Sequence, residues 1–363
     1  MTFTLHHRTS PLVIAGPCSA ETPEQMRASC LPLADIPSVN LIRAGIWKPR
    51  TRPDSFEGVG EQGLPWLKEV GEATGLPVCT EVANARHVEA CLKQGIDVLW
   101  IGARTTVNPF SVQAIADALQ GVDIPVLVKN PINPDIKLWL GAVERIEAAG
   151  IQEVGAIHRG FSYYGESIYR NQPRWELAIA FRAARPDLPL ICDPSHMAGR
   201  RDLLEDLSSH ALDLGLDGLM IESHCNPDEA WSDAAQQITS YTLGLLLDRV
   251  LHRTPNPIAA SDPSISGLRS KIDGLDEEII TLLARRLATA QEIGEYKAGA
   301  DLEILQPARW REILETRTEL AEKLGLDPAF ILDYLDLMHK QSIALQKAVF
   351  KAQGKSDSEG IPW

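Results

Sequence analysis

Residues 76–104 read LPVCTEVANARHVEACLKQGIDVLWIGAR. Two short apolar runs, LPVCTE at 76–81 and VLWIGAR at 98–104, bracket a helix-length stretch, NARHVEACLKQG. Near-continuous Val, Leu and Ile is what a strand buried on both faces requires, and the separation suits a strand, a crossover helix and a second, parallel strand. The same unit recurs on either side. PLVIAG (11–16) and VNLIRAG (39–45) precede it; PVLVKN (125–130), EVGAIHRG (153–160), LPLICD (188–193) and GLMIES (218–223) follow. Eight strands alternating with helices over about 240 residues predict an α/β fold, a (β/α)8 TIM barrel. The rival, a doubly wound open sheet, asks for a GxGxxG fingerprint after its first strand. Here that strand runs into Gly16-Pro17-Cys18-Ser19 instead.

The chain has 363 residues, 44% hydrophobic and 23% charged, enough for one large and one small soluble domain. Its formal charge of −14 argues against a general binder of phosphate backbones. No run approaches the roughly 20 apolar residues of a membrane span, and MTFTLHHRTS at 1–10 lacks a signal-peptide core. Cys18, Cys30, Cys79, Cys91, Cys192 and Cys225 follow no CxxC or disulfide-framework spacing. They read as reduced thiols of a cytoplasmic protein.

Residues 1–252 form the expected barrel domain. RTPNPIAASDPSI at 253–265, with three prolines and no apolar period, reads as a linker. Beyond it, 3.6-residue periods predict a small all-α domain over 266–350, with helices at 266–298, 304–324 and 328–350. Asp327-Pro328 supplies a cap and a first-turn proline for the last of these. The tail 351–363 is expected to be disordered.

Chemistry in such barrels sits at the carboxyl ends of the strands. Those ends carry Cys18, Arg43 with Lys48, Glu81, Arg104, Lys129, His158 with Arg159, Asp193 with His196, and Glu222. One charge at a strand end is unremarkable; this many on one rim predict an active site. Arg43, Lys48, Arg50, Arg104, Lys129 and Arg159 suit a substrate with several phosphate or carboxylate groups, which guanidinium forks grip in paired hydrogen bonds. Cys18, His196, Glu222 and Asp233 offer a mixed sulfur, nitrogen and oxygen set for a divalent transition metal, although no short motif ties the four together. Taken alone, Cys18 would read as an inert buried thiol.

In order along the chain, residues 11–240 resemble the metal-dependent family of 3-deoxy-D-arabino-heptulosonate 7-phosphate (DAHP) synthases. The matching stretches begin with Gly16-Pro17-Cys18-Ser19, Arg43, Lys48-Pro49-Arg50-Thr51-x-Pro53 and Phe56-Glu57-Gly58. Ile101-Gly102-Ala103-Arg104, Asp193-Pro194-Ser195-His196, Glu222 and Asp233 complete the set. The resemblance implies one divalent metal ion (Mn, Fe, Co, Zn or Cd) on Cys18, His196, Glu222 and Asp233. It implies phosphoenolpyruvate (PEP) held through its phosphate by Arg104, Lys129 and Arg159 and through its carboxylate by Arg43 and Lys48. Arg50 and Thr51 would take the phosphate of erythrose 4-phosphate, Lys48 would give a proton to the forming alkoxide, and Glu81 would belong to the proton or water network. The sister octulosonate phosphate synthases carry a Lys-Ala-Asn-Arg-Ser type motif where this chain has Lys48-Pro49-Arg50-Thr51, which points to the four-carbon acceptor. Two departures stand out. Lys129-Asn130 replaces a usual Lys-Arg, and His158-Arg159-Gly160 replaces Glu-Arg-Gly.

The first helix of the C-terminal domain would be on the order of 50 Å long. Its apolar face includes Ile272, Leu275, Ile279, Leu282 and Ile293, more than two partner helices of one chain can cover, and so predicts a helical homodimer. Arg269, Arg286 and Lys297 lie along it; composition alone would leave them as solvated cations. The stretch LRSKIDGLDEEIITLLARRLATAQEIGEYK, then Arg309, then SIALQ at 342–346, resembles the all-helical chorismate mutases. Arg269, Arg286, Lys297, Arg309, Ser342 and Gln346 match the positions that bind chorismate and prephenate in that family. Arg269 and Lys297 stand 28 residues apart, roughly 42 Å along one helix. One chain therefore cannot bring both to one small substrate. In the family's intertwined dimer, Arg269 completes the other chain's site. Gln306 and Trp310 depart from the acidic residues usual around the second-helix arginine.

The reading is a bifunctional enzyme of aromatic biosynthesis. The barrel condenses PEP with erythrose 4-phosphate, the helices turn chorismate into prephenate, and prephenate or chorismate feeds back on the barrel. The alternatives are a single-function synthase whose helices only sense prephenate or chorismate and, further off, an octulosonate phosphate synthase barrel.

Overall fold

The structure, a computed structural model, describes residues 3–6, 10–48, 56–165, 167–252, 263–300 and 302–354, with the side chains of 263–271 and 273 left out. The chain divides into two compact units, Met1–Pro255 and Asn256–Trp363. No helix among the described residues is long and apolar enough to cross a membrane.

The first unit is a closed, all-parallel barrel in chain order: β1 (Leu12–Gly16), β2 (Leu41–Arg43), β3 (Val78–Val82), β4 (Val98–Ile101), β5 (Val126–Lys129), β6 (Val154–His158), β7 (Leu190–Cys192) and β8 (Gly218–Glu222). Closure pairs β1 with β8, setting Gly16 opposite Glu222. Helices α1 (Pro23–Cys30), α2 (Gly63–Thr74), α3 (Ala85–Gln94), α4 (Ala103–Thr106) and α5 (Pro109–Ala118) follow the early strands. Then come α6 (Ile136–Ala148), α7 (Trp175–Ala184), α8 (Pro194–Ala198), α9 (Leu204–Asp213) and α10 (Ser240–Leu251). Local chemistry fixes their ends. Asn84, for example, caps α3 by accepting from His87 N, and Gly95 at φ 73° closes it.

The strands' period of two sorts the core into two layers. Leu12, Ile14, Leu41, Cys79, Trp100 and Met220 fill the interior, with Leu5 packed among them. Their alternates, such as Val13, Ile42, Val78, Leu99 and Ile221, pack outward in the larger cluster that includes the helices. One step further along the same parity, the inward residues become polar: Leu41 leads to Arg43, Cys79 to Glu81, Leu127 to Lys129, Ile157 to Arg159, Ile191 to Asp193 and Met220 to Glu222. His158 has the opposite parity. It lies among Trp139, Phe161 and Trp175, off the rim where its position at a strand end had placed it.

The second unit contains α11 (Pro263–Ala300), α12 (Pro307–Lys323) and α13 (Pro328–Ala352), with α11 and α12 packed on α13. Each begins on a proline, which suits a first helical turn because its missing N–H would have no partner there. That placement moves the first helix back into the expected linker and starts the second at 307, since a residue before proline is biased away from helical geometry. At the other end α13 runs two residues into the expected tail. Residues 253–262 of the linker and 355–363 of the tail lie outside the described residues.

Candidate functional site

Gly16 ends β1 at φ +142°, and a Cβ there would fall 2.2 Å from the Arg43 carbonyl oxygen. The close approach this permits brings the following turn, with Cys18, over the barrel mouth. Cys18 N donates to Gln237 Oε1 at 2.9 Å, tying that turn to the loop after β8. Cys18, Glu222 and Asp233 then bring one donor atom each to within 4.8 Å of one another. His196 borders this trio, with Nε2 3.6 Å from Glu222 Oε1 and Nδ1 3.0 Å from Asp193 Oδ1. A carboxylate behind one ring nitrogen is the usual way to aim the other at a metal.

The donor set fits a divalent transition metal. Burial, and then the charge of Glu222, push the Cys18 thiol up to about 12, while Lys48, whose Nζ lies 2.7 Å from Sγ, opposes them only in part. A further cation among these donors is what a thiolate here calls for. Glu222 is buried, and its Oε1, although 3.1 Å from Arg43 Nη2, accepts no hydrogen bond among the described residues. Asp233 sits in the left-handed region at φ 50° and pairs with Arg170 at 3.1 Å. Burial raises its pKa, but Lys48 and Arg170 hold the carboxyl well below its ordinary range.

Beside this cluster opens a cavity of about 260 Å³ lined by Lys48, Glu81, Arg104, Lys129, Arg159 and Arg170. Lys129 Nζ donates to Asp193 Oδ2 at 2.7 Å. Burial works against the Asp193 charge, yet His196 and Lys129 hold its carboxyl well below the usual range. Burial lowers Arg159 to about 10, so it stays a cation at neutral pH. Its Nη1 donates to Asn171 Oδ1 at 2.7 Å, and Asn171 Nδ2 donates to His196 O at 2.6 Å. Asn130 accepts from Arg159 N at 2.7 Å and donates to Gly160 O at 2.8 Å. The residue standing where a second cation is usual is thus a buried backbone clamp for Arg159. Arg43 lies deeper, 5.0 Å from the Trp100 ring, and its buried Nε and Nη1 have no hydrogen-bond partner among the described residues. Glu81 Oε2 accepts from Trp100 Nε1 at 3.1 Å, and a Cβ at Gly102 would meet its Oε1 at 2.1 Å.

Arg170, Asn171 and Gln236 were not marked by the sequence. Arg170 and Asn171 sit in an irregular loop and Gln236 in a single 3-10 turn, where no period singles out a residue, and only the fold brings them to the mouth. Gln236 donates to Glu222 Oε2 at 2.7 Å and accepts from Arg170 at 2.8 Å, joining the two sides of the site. Arg50 and Thr51 lie outside the described residues.

In the helical unit, Arg286, Lys297, Arg309, Ser342 and Gln346 line one cavity of about 490 Å³. Arg286 Nη1 donates to Ser342 Oγ at 3.0 Å, and Lys297 Nζ to Ile304 O at 2.7 Å. Burial lowers the Lys297 ammonium below its ordinary value. Arg309 pairs with Glu312 at 2.7 Å, and buried Gln346 Oε1 has no partner among the described residues. Trp310 and His339 also line the cavity, stacked at 3.9 Å and 12°. Of this stacked pair His339 was unmarked in the sequence, although it stands three residues before Ser342 on the same helix face. The Arg269 side chain lies outside the described residues.

Residues 7–250 match the family model of the DAHP synthetase I family, and residues 268–347 match that of chorismate mutase type II. A phospho-2-dehydro-3-deoxyheptonate aldolase of Thermotoga maritima is 34% identical over 226 residues, 62% of this chain and 64% of that protein. This chain thus spans less than two thirds of that relative's length. A 2-dehydro-3-deoxyphosphooctonate aldolase of Wolinella succinogenes is 27% identical over 265 residues, covering 66% of this chain and 98% of that one. The crystal structure of a Thermotoga maritima DAHP synthase matches with a TM-score of 0.59 at 30% identity, over 66% of this chain and 68% of that chain. The barrel, its cation-lined mouth and the family match agree: the chain belongs to the DAHP synthetase I family and carries, after its barrel, a region that matches chorismate mutase type II.

Proposed function

We propose that the barrel condenses PEP with erythrose 4-phosphate to give DAHP and inorganic phosphate, and that the helical unit rearranges chorismate to prephenate. One observation carries the barrel reading. The thiol–carboxylate cluster and the cation-lined cavity share a wall at Lys48 and Asp233, so a phosphorylated anion in the cavity lies beside the cluster. Arg104, Lys129 and Arg159 suit the phosphate of PEP. Arg43, with two buried uncommitted donors, and Lys48 suit its carboxylate. Cys18, His196, Glu222 and Asp233 would hold a divalent metal ion, which when bound supplies Lewis acidity toward the aldehyde. C3 of PEP attacks that aldehyde, water adds at C2 and phosphate leaves. Lys48 protonates the new alkoxide, and Glu81 holds water in the same cavity. Arg50 and Thr51 take the sugar phosphate.

The test is phosphate release from PEP. Release with erythrose 4-phosphate, and none with arabinose 5-phosphate, supports this assignment. The reverse preference overturns it in favour of octulosonate phosphate synthesis.

In the helical unit, Arg286 and Arg309 suit the two carboxylates of chorismate, and Lys297 and Gln346 the breaking ether oxygen. Arg269 would come from a second chain, which makes the active form a homodimer. A second reading, favoured by Gln306 and Trp310 in place of acids, has this unit bind prephenate or chorismate chiefly to restrain the barrel. Both roles suit a biosynthetic enzyme of the cytoplasm.

A further inference from the structure

His339, Ser342 and Gln346 stand three and four residues apart on α13, so they form one stripe along the wall of the helical cavity. Ser342 is engaged by Arg286, Lys297 by a backbone carbonyl and Arg309 by Glu312. His339 is half-buried against the cavity, and neither of its ring nitrogens makes a hydrogen bond among the described residues. Its ring lies nearly parallel to Trp310 at 3.9 Å. Flat stacking leaves the ring edge, which carries both nitrogens, free to meet a ligand. An indole face also tolerates imidazole and welcomes imidazolium, so the stack holds the ring in either charge state.

We propose that His339, held on Trp310, is a ligand-binding residue of this cavity. It donates a hydrogen bond to a carboxylate of a bound dicarboxylate and takes up a proton from solvent as that dianion binds. This rests on the reading of the cavity as a chorismate and prephenate site, and it adds a residue outside the six that the resemblance supplies. The charged groups around His339 set the direction of the effect. Arg286 and Lys297 face it from α11, and Arg309, paired with Glu312, lines the same cavity from α12. On α13 itself Asp336 is tied up by Lys340 at 2.6 Å. Burial first, with Arg286 and Lys297 adding to it against Asp336, keeps the imidazole below its ordinary value. A dianion settling among these cations cancels their repulsion and adds negative charge beside the ring, which raises it. A group whose pKa rises on binding makes affinity increase as pH falls between its free and bound values.

The test is calorimetric titration of the full chain with prephenate at about pH 6.5 and about pH 8, each in two buffers of different ionisation enthalpy. Wild type should bind several-fold tighter at the lower pH, within the limit of about tenfold per unit set by one proton, and should show proton uptake. His339→Gln, which keeps a polar side chain but cannot titrate, should lose both the uptake and the slope, so its deficit widens as pH falls. A merely structural role would weaken binding equally at both pH values and would overturn the proposal. So would a wild-type slope that survives in His339→Gln, because it would belong to Lys297. Arg286→Ala separates the underlying reading. If it binds prephenate as tightly as wild type, or if neither binds, the cavity is not the dianion site and the proposal falls with it.

Discussion

His158 is an imidazole enclosed by Trp139, Phe161 and Trp175, with no well-formed hydrogen bond on either ring nitrogen among the described residues. Burial, opposed only in part by the Pro173 backbone, brings it down to about 3. The unfolded chain would titrate it near the ordinary 6.5, so between these values the unfolded state binds the extra proton and stability is lost as the pH is lowered. From pH 7 to pH 5 the loss from this residue should be about 2 kcal/mol. Urea midpoints of wild type and His158→Phe at the two pH values test this: the variant should lose less on acidification. Equal losses would mean that His158 is protonated at no cost in the fold. Nothing in the sequence distinguishes His158 from Arg159 as neighbours at a strand end; only the pleat does. The same limit applies to Asn130, which the sequence shows as a missing cation and the structure as a clamp on Arg159.

At the scale of elements, the strands were legible because burial on both faces leaves an apolar run with a polar end. The parity that carries interior residues onto the rim, as Ile191 leads to Asp193, is also present in the sequence once the inward face is known. Helix ends were legible to within a few residues, and Pro263 and Pro307 account for the shifts at the starts of α11 and α12. What the sequence lacked were loop partners such as Arg170 and Gln236, whose positions follow from closure of the barrel and not from any local pattern. The turn after β4 provides a test. Gly102 lets Glu81 approach to where a Cβ would stand 2.1 Å from Oε1, so Gly102→Ala must displace that carboxylate. Phosphate release should fall while thermal stability changes little, because the clash is with the far end of a flexible side chain and the backbone at Gly102 suits alanine. Unchanged turnover would remove Glu81 from the site's water network.

For the whole molecule, the order of motifs along the barrel and the resemblance carried by the helical segment pointed to two sites before any geometry was known. What encloses the second site is a matter of assembly. Ile272, Leu275, Ile279 and Leu282 are each more than half exposed on a helix of 38 residues, about 57 Å long. The row these four residues form, roughly 15 Å along the helix, is what a second copy of the chain would cover if the helical unit pairs. Sedimentation equilibrium should therefore give twice the chain mass at micromolar concentration. Ile279→Glu should shift the protein toward monomer and reduce chorismate turnover with it. A monomeric wild type would leave Arg269 unable to reach the site and would remove the dimer from the account.

The central claim is that one chain holds two separate catalytic sites. Its most direct test is the loss of chorismate absorbance in the ultraviolet, followed with full-length protein and with Arg286→Ala. Steady consumption by wild type, reduced about a hundredfold or more in the variant, is the expected result. If wild type leaves chorismate untouched while binding prephenate tightly, the claim is contradicted: the helical unit is then a sensor attached to a single-function barrel.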